Sequence, residues 1–131
     1  MNLQLSLKRK WFDMTKAGIK PEDYREITPY WCSRLLLYGG TVRKRVFWED
    51  AFFFTDVNND FHLLKSALIG GYADFKKFSI NTMTLGYPKA GDPERTLVYE
   101  HAGIEIRTGN PEWGAEPDKL YFVIKHGNII K

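Results

Sequence analysis

The chain has 131 residues, 44% of them hydrophobic and 27% charged, with a formal net charge of +3. That length suits one domain with a single core, and an aromatic share of 15% excludes a disordered chain. The longest run without a charged side chain, Phe78 to Pro88, is about half of the roughly 20 apolar residues that a membrane helix needs, so no span is predicted. Leu3, Leu5 and Leu7 alternate with Gln4 and Ser6, the period of a half-buried strand. Trp11, Met14 and Thr15 then fall at helical spacing, and Gly18 with Pro21 supplies a stop. Glu22 to Ile27 reads as a second strand, with Asp23, Arg25 and Ile27 on one face and Glu22, Tyr24 and Glu26 on the other.

Thr28-Pro29 has the form of a helix start, threonine as N-cap and proline in the first turn. The helix carries Tyr30, Trp31, Arg34 and Leu35, extends toward Leu37 and ends at Gly39-Gly40. Val46 to Phe54 is aromatic-rich and reads as a strand weakened by Glu49-Asp50-Ala51. Phe61 to Ile69 reads as a helix after the polar turn Asn58-Asn59-Asp60. Ser79 to Leu85 reads as a strand ending at Gly86-Tyr87-Pro88, and Thr96 to His101 as another. Ala102-Gly103 marks a bulge or bend before Ile104 to Arg107. A turn-rich stretch from Gly109 to Pro117 precedes the clearest strand, Leu120 to Lys125. His126-Gly127-Asn128 is expected to turn that strand into Ile129-Ile130. Five or six strands with two or three short helices predict an α+β fold with a curled sheet or small β-barrel as its core.

The charge is unevenly placed. Residues 1–45 hold ten Lys/Arg and four Asp/Glu, a surplus of +6, and the remainder carries −3. A basic end raises the local concentration of a polyanion, although a solvated basic face has the same composition. The N-terminal segment places its basic residues after a short alternating run, the reverse of a secretory signal. Cys32 is the lone cysteine, which excludes an internal disulfide and points to a reducing, cytoplasmic setting. No phosphate-binding G-x-x-x-x-G-K-[ST] or G-x-G-x-x-G is present, and His62, His101 and His126 lack metal-ligand spacing. No metal or cofactor is expected.

Ala17 to Glu26 stands apart. Lys20, Glu22, Asp23, Tyr24, Arg25 and Glu26 put six ionisable side chains within seven positions, around a turn and a strand. Asp23 and Arg25 face the same way as Ile27, and an inward charge must be matched by a partner, a ligand or water. The segment fits an internal salt bridge or a polar pocket for phosphate or base edges.

Gly18-x-Lys20-x-x-Asp23-x-Arg25 resembles the G-x-K-x-x-E-x-R signature of ASCH domains, relatives of the PUA RNA-binding fold. The resemblance extends to Leu5–Met14, to Tyr24–Trp31, to Gly86-Tyr87, Arg95, Gly103–Ile106 and Gly109, and to Pro111–Ala115 and Tyr121–Ile124, as in a bacterial and phage subgroup. It covers about two thirds of a single domain spanning 1–131, and residues 38–78 form a less family-like, variable region. It implies a PUA-like barrel with a cleft for RNA, a nucleotide or a modified nucleoside beside the signature turn. Lys20 would approach an oxyanion there, and Asp23 with Arg25 would organise the cleft. Tyr24 borders the same turn. Tyr87, Trp31 and Trp113 are candidates for stacking on a base, worth about 1–3 kcal/mol per base, although aromatics of a small barrel also serve as core. Lys8, Arg9 and Lys10 offer backbone contacts, and Arg95 either closes over an anion or is a solvated loop arginine.

One branch of the family consists of amidohydrolases acting on N4-acetylcytidine through a lysine, a threonine and a glutamate. The lysine maps to Lys20, whereas Asp23 stands where the threonine would be and offers no hydroxyl nucleophile. A hydrolase built on Asp23 as base, Lys20 as electrophile and Glu105 as second carboxylate is one alternative to a binding domain, and ribonuclease activity is described for another branch. A phage-type accessory protein that binds another protein through residues 38–78 is a third.

Overall fold

Leu3, Leu5 and Leu7 are buried on one side of β1 (Asn2–Leu7), so the alternation in the sequence translates into a strand with an apolar face. The computed structural model describes residues 1–53, 61–86 and 92–130. Helix α1 (Arg9–Lys16) follows, burying Phe12 and Thr15. Gly18, at φ +76°, ends it, and Ile19 and Lys20 both donate their backbone N–H to Met14 O, at 3.0 and 3.2 Å. That wrap returns the chain to β2 (Glu22–Glu26).

Two compact units emerge, one of Met1–Tyr24 with Lys77–Lys131 and one of Arg25–Lys76. In the second, α2 (Pro29–Leu35) starts as the sequence predicts, with the Thr28 hydroxyl accepting from Trp31 N at 3.2 Å. The helix stops earlier than expected. Leu36 is already extended, and β3 (Leu36–Tyr38) pairs antiparallel with β4 (Thr41–Val42) and with β5 (Ala73–Phe75). Gly39-Gly40 is thus the turn between β3 and β4 rather than a helix end.

The strand expected over Val46–Phe54 is instead α3 (Arg45–Trp48) running into a π-helical turn, Glu49–Phe53. Four residues apart, Trp48 and Phe52 stack at 5.5 Å, and Tyr38 packs its ring 5.1 Å from Phe47, so helical spacing builds an aromatic cluster. Phe54 and the turn at 58–60 lie outside the described residues. Helix α4 (His62–Ile69) buries Leu64 and Ala67.

The first unit carries a curled five-stranded sheet in the order β1-β6-β7-β8-β2, formed with β6 (Ile80–Leu85), β7 (Thr96–Thr108) and β8 (Leu120–Ile129). β1 runs parallel to β6, with Leu3 opposite Asn81 and Leu5 opposite Met83. β6, β7 and β8 are antiparallel neighbours. The fold is mixed α+β. Leu3, Leu5, Phe12, Met83, Phe122 and Ile124 form the centre of the buried apolar set of this unit.

Two register shifts interrupt the β7–β8 pairing. His101 faces His126 but Ile104 faces Ile124, so β7 carries an extra residue at Ala102-Gly103, where Gly103 sits at φ +112°. Tyr99 faces Ile129, so β8 carries an extra residue between His126 and Ile129. The turn expected at 126–128 is therefore an irregularity inside one continuous strand.

Candidate functional site

Lys20 leaves the α1 turn pointing inward and is 2% exposed, while Asp23 is 6% exposed. Its ammonium donates to Asp23 Oδ1 at 3.0 Å and to Glu22 O at 2.7 Å. It also lies 5.9 Å from the centroid of the Trp11 ring and 5.5 Å from that of Tyr24. A carboxylate, a carbonyl and two aromatic faces thus replace the water that a buried cation gives up. Trp11 carries a second ammonium, that of exposed Lys10, at 4.8 Å. Gly114 lets the Pro111–Trp113 turn approach the same indole, since a Cβ there would stand 2.9 Å from Trp11 Cζ2.

Glu22 and Tyr24 point to the other face of β2. Tyr24 Oη donates to Glu22 Oε2 at 2.6 Å and accepts from Asn110 N at 2.9 Å. Arg107 bridges Glu22 Oε1 at 2.5 Å and Glu105 Oε1 at 2.7 Å, and Lys125 lies 3.8 Å from Glu105. Burial would raise the Glu22 carboxyl, but hydrogen bonds from Arg107 and Tyr24 outweigh it and hold the group below its ordinary value. Burial pushes the Tyr24 phenol up to about 12, the Asn110 N–H working against the rise and Glu22 adding to it.

The opposite face of the sheet holds a second polar group. Asn81 is fully buried; its amide nitrogen donates to Lys125 O at 3.1 Å and approaches His126 Nδ1 at 2.8 Å. Its amide oxygen lies 2.7 Å from His101 Nδ1. A carbonyl only accepts, so Lys125 O orients the amide, and both tautomers follow. His101 carries its proton on Nδ1, and His126 accepts on Nδ1 and carries its own on Nε2. Burial pushes the His126 ring down to about 4; among charged neighbours Asp23 opposes the shift and Lys20 adds to it. The His126 backbone N–H donates to Pro21 O at 3.0 Å, tying this group to the turn that carries Lys20.

The structure brings Lys20, Asp23 and Tyr24 together. Lys8, Arg9 and Lys10 are exposed at the start of α1, and Arg9 stands 3.9 Å from Asp13. Arg25 and Arg34 each hold their guanidinium 5.0 Å from the Trp31 ring in the second unit. Arg95 is exposed and donates to Leu85 O at 3.3 Å. Trp113 is half-buried in its 3-10 turn. Tyr87 lies outside the described residues. Glu105 shares a face with Arg107 and Glu22, whereas strand alternation directs Asp23 to the other face, so these two carboxylates are not gathered at one point. Burial raises the Cys32 thiol far above its ordinary value, making it an inert core group.

Sequence reasoning passed over Trp11, Glu22, Asn81, His101 and His126 as site residues. Trp11 carried a signal, an indole directly after three basic residues; the histidines carried none, because only the two strand irregularities set them opposite each other. Among the described residues no three His, Cys, Asp or Glu side chains are grouped as a metal site requires, and no helix is long and apolar enough to cross a membrane. Comparison of the chain with protein-family models, with curated proteins and with solved structures found no match.

Proposed function

We propose that this chain is an ASCH-type domain that binds a ribonucleotide, free or within an RNA strand, with the phosphates along the start of α1 and the base toward Trp11, Lys20 and Asp23. The observation that carries this reading is the shared ring of Trp11, which lies 4.8 Å from the exposed ammonium of Lys10 and 5.9 Å from the buried one of Lys20. Surface charge that attracts a polyanion is thereby continuous with an interior polar pair through a flat aromatic side chain. The signature-like turn Gly18-x-Lys20-x-x-Asp23-x-Arg25 adds the family resemblance.

Fluorescence anisotropy of a short labelled single-stranded RNA tests the proposal. Affinity should fall with salt, and Lys8→Ala/Lys10→Ala should lower the log–log salt slope by roughly 1.4, two lost phosphate contacts at about 0.7 each. Both side chains are exposed, so the variant keeps its fold. No binding at low salt, or an unchanged slope in the variant, overturns the reading.

A further inference from the structure

Arg34, in the last turn of α2, sits among cations and aromatic rings that belong wholly to the second unit. Its guanidinium stands 5.0 Å from the Trp31 ring and 5.8 Å from that of Tyr30, and it donates to Tyr30 Oη at 3.2 Å. Arg25 stands 5.0 Å from the same Trp31 ring, so one indole gathers two guanidinium groups. Lys76 brings a third cation, its ammonium donating to Ser33 O at 3.2 Å, one residue before Arg34. Burial and repulsion from Arg34 lower that ammonium below its ordinary value. Between Glu26 and Glu49 the chain carries Arg34, Arg43, Lys44 and Arg45 and no acidic side chain, so α2, α3 and the hairpin between them add only positive charge. The group lies at the surface: Arg25, Trp31, Arg34 and Lys76 are half-buried, and Tyr30 is 49% exposed.

We propose that this group is a second nucleic-acid contact, in which Arg25 and Arg34 bind phosphates of a single strand and the exposed ring of Tyr30 stacks on a base. This rests on the ribonucleotide reading above for the class of ligand, and goes beyond it in giving the second unit a place for a strand. A guanidinium held against a ring is already ordered, and its planar N–H fork matches the oxygens of a phosphate. An anion bound among the three cations also relieves the repulsion between Arg34 and Lys76. Tyr30 meets Trp31 edge-on, at 5.4 Å and 85°, so the two rings do not cover each other's faces. Charge alone would equally suit an acidic protein segment. An exposed ring set among arginines favours a strand in which phosphates and bases alternate.

The test is fluorescence anisotropy of the full chain with a short labelled single-stranded RNA, with poly-glutamate as competitor. Arg25→Gln/Arg34→Gln should lower the log–log salt slope by roughly 1.4, two lost phosphate contacts at about 0.7 each. Tyr30→Ala should weaken binding about ten-fold and leave that slope in place, because stacking involves no counterion release. The Tyr30 side chain is exposed, so this variant decides if the arginine variant fails to fold. An unchanged slope in the arginine variant, an unchanged affinity in Tyr30→Ala, or displacement of the RNA by poly-glutamate at equal charge concentration overturns the proposal. RNA binding whose slope depends on Lys8 and Lys10 but not on Arg25 and Arg34 overturns this inference alone. The converse dependence overturns the site at α1 and leaves this one, and no RNA binding at low salt overturns both.

Discussion

Asn81 donates an amide hydrogen to His126 Nδ1 at 2.8 Å while its oxygen accepts from His101 Nδ1 at 2.7 Å, so one fully buried side chain sets the tautomers of two histidines on neighbouring strands. Asn81→Leu preserves approximate volume and removes every one of these bonds. It leaves Lys125 O and two ring nitrogens without their partner, and we expect a loss of about 3 kcal/mol in urea denaturation, from a cost of about 1–3 kcal/mol per buried unpaired group with partial relaxation. The same variant should release His126 to a mixture of tautomers in two-bond 1H–15N spectra. A neutral substitution with both tautomers unchanged would show that Asn81 does not hold the rings.

Stability should depend on pH through His126. The unfolded ring titrates near 6.5 and the folded one near 4, so between these values the unfolded state holds more protons and stability falls as pH drops. The contribution is present above pH 6.5, is lost down to about pH 4, and amounts to roughly 3 kcal/mol. The charged and titratable groups acting on the ring are Asp23, Lys20, His101 and Glu22. His101 is also lowered by burial and adds to the slope in the same direction. Glu22 acts lower: its depressed carboxyl contributes stability above pH 4.5 that is lost as pH falls through its folded value. Urea melts from pH 7.5 to 4 should show the decline, and His126→Phe should flatten most of it. A flat wild-type profile over that window would contradict the burial of a neutral ring.

How far the sequence reaches is clear from these residues. β1, α1 and the capped start of α2 were legible because their signals are local: a period of two, a helical spacing, and threonine before proline. The need to match an inward Asp23 was legible from desolvation alone; Lys20 provides the match. The Asn81–His101–His126 group was not legible, because it depends on β6 lying beside β7 and on an extra residue in each of β7 and β8. A strand irregularity reverses the facing of everything beyond it, and composition carries no record of pairing register. The expectation of a strand over Val46–Phe54 fails because aromatic content favours strands, whereas the four-residue spacing of Trp48 and Phe52 is that of one helix face.

The Lys20–Asp23 pair should behave as a matched unit. Lys20→Met leaves the Asp23 carboxylate buried without its cation, and we expect a loss of about 3–5 kcal/mol. Lys20→Met/Asp23→Leu removes both charges and should recover most of that loss, because a well-packed apolar pair replaces an ion pair at little net cost. A double-mutant cycle in urea measures the coupling. Additive losses from the two single variants would mean that the two charges do not depend on each other.

Gly109 is the narrowest point beside Tyr24. A Cβ added there would stand 2.6 Å from Tyr24 Cε1 and 2.7 Å from Ala115 Cβ. Neither neighbour can retreat cheaply: Ala115 packs against Tyr121 and Val123, and Tyr24 joins the same cluster with its hydroxyl between Glu22 and Asn110 N. Gly109→Ala should therefore cost about 1–3 kcal/mol by overpacking. It should also displace the phenol from its two hydrogen bonds, so the Tyr24 hydroxyl, pushed up to about 12 in the native arrangement, should titrate at a lower pH as its burial is relieved. Urea denaturation checks the first effect and ultraviolet titration of tyrosinate the second. If stability falls while the tyrosine titration is unchanged, the strain has been absorbed by the Ala115 side of the cluster and Tyr24 keeps its place.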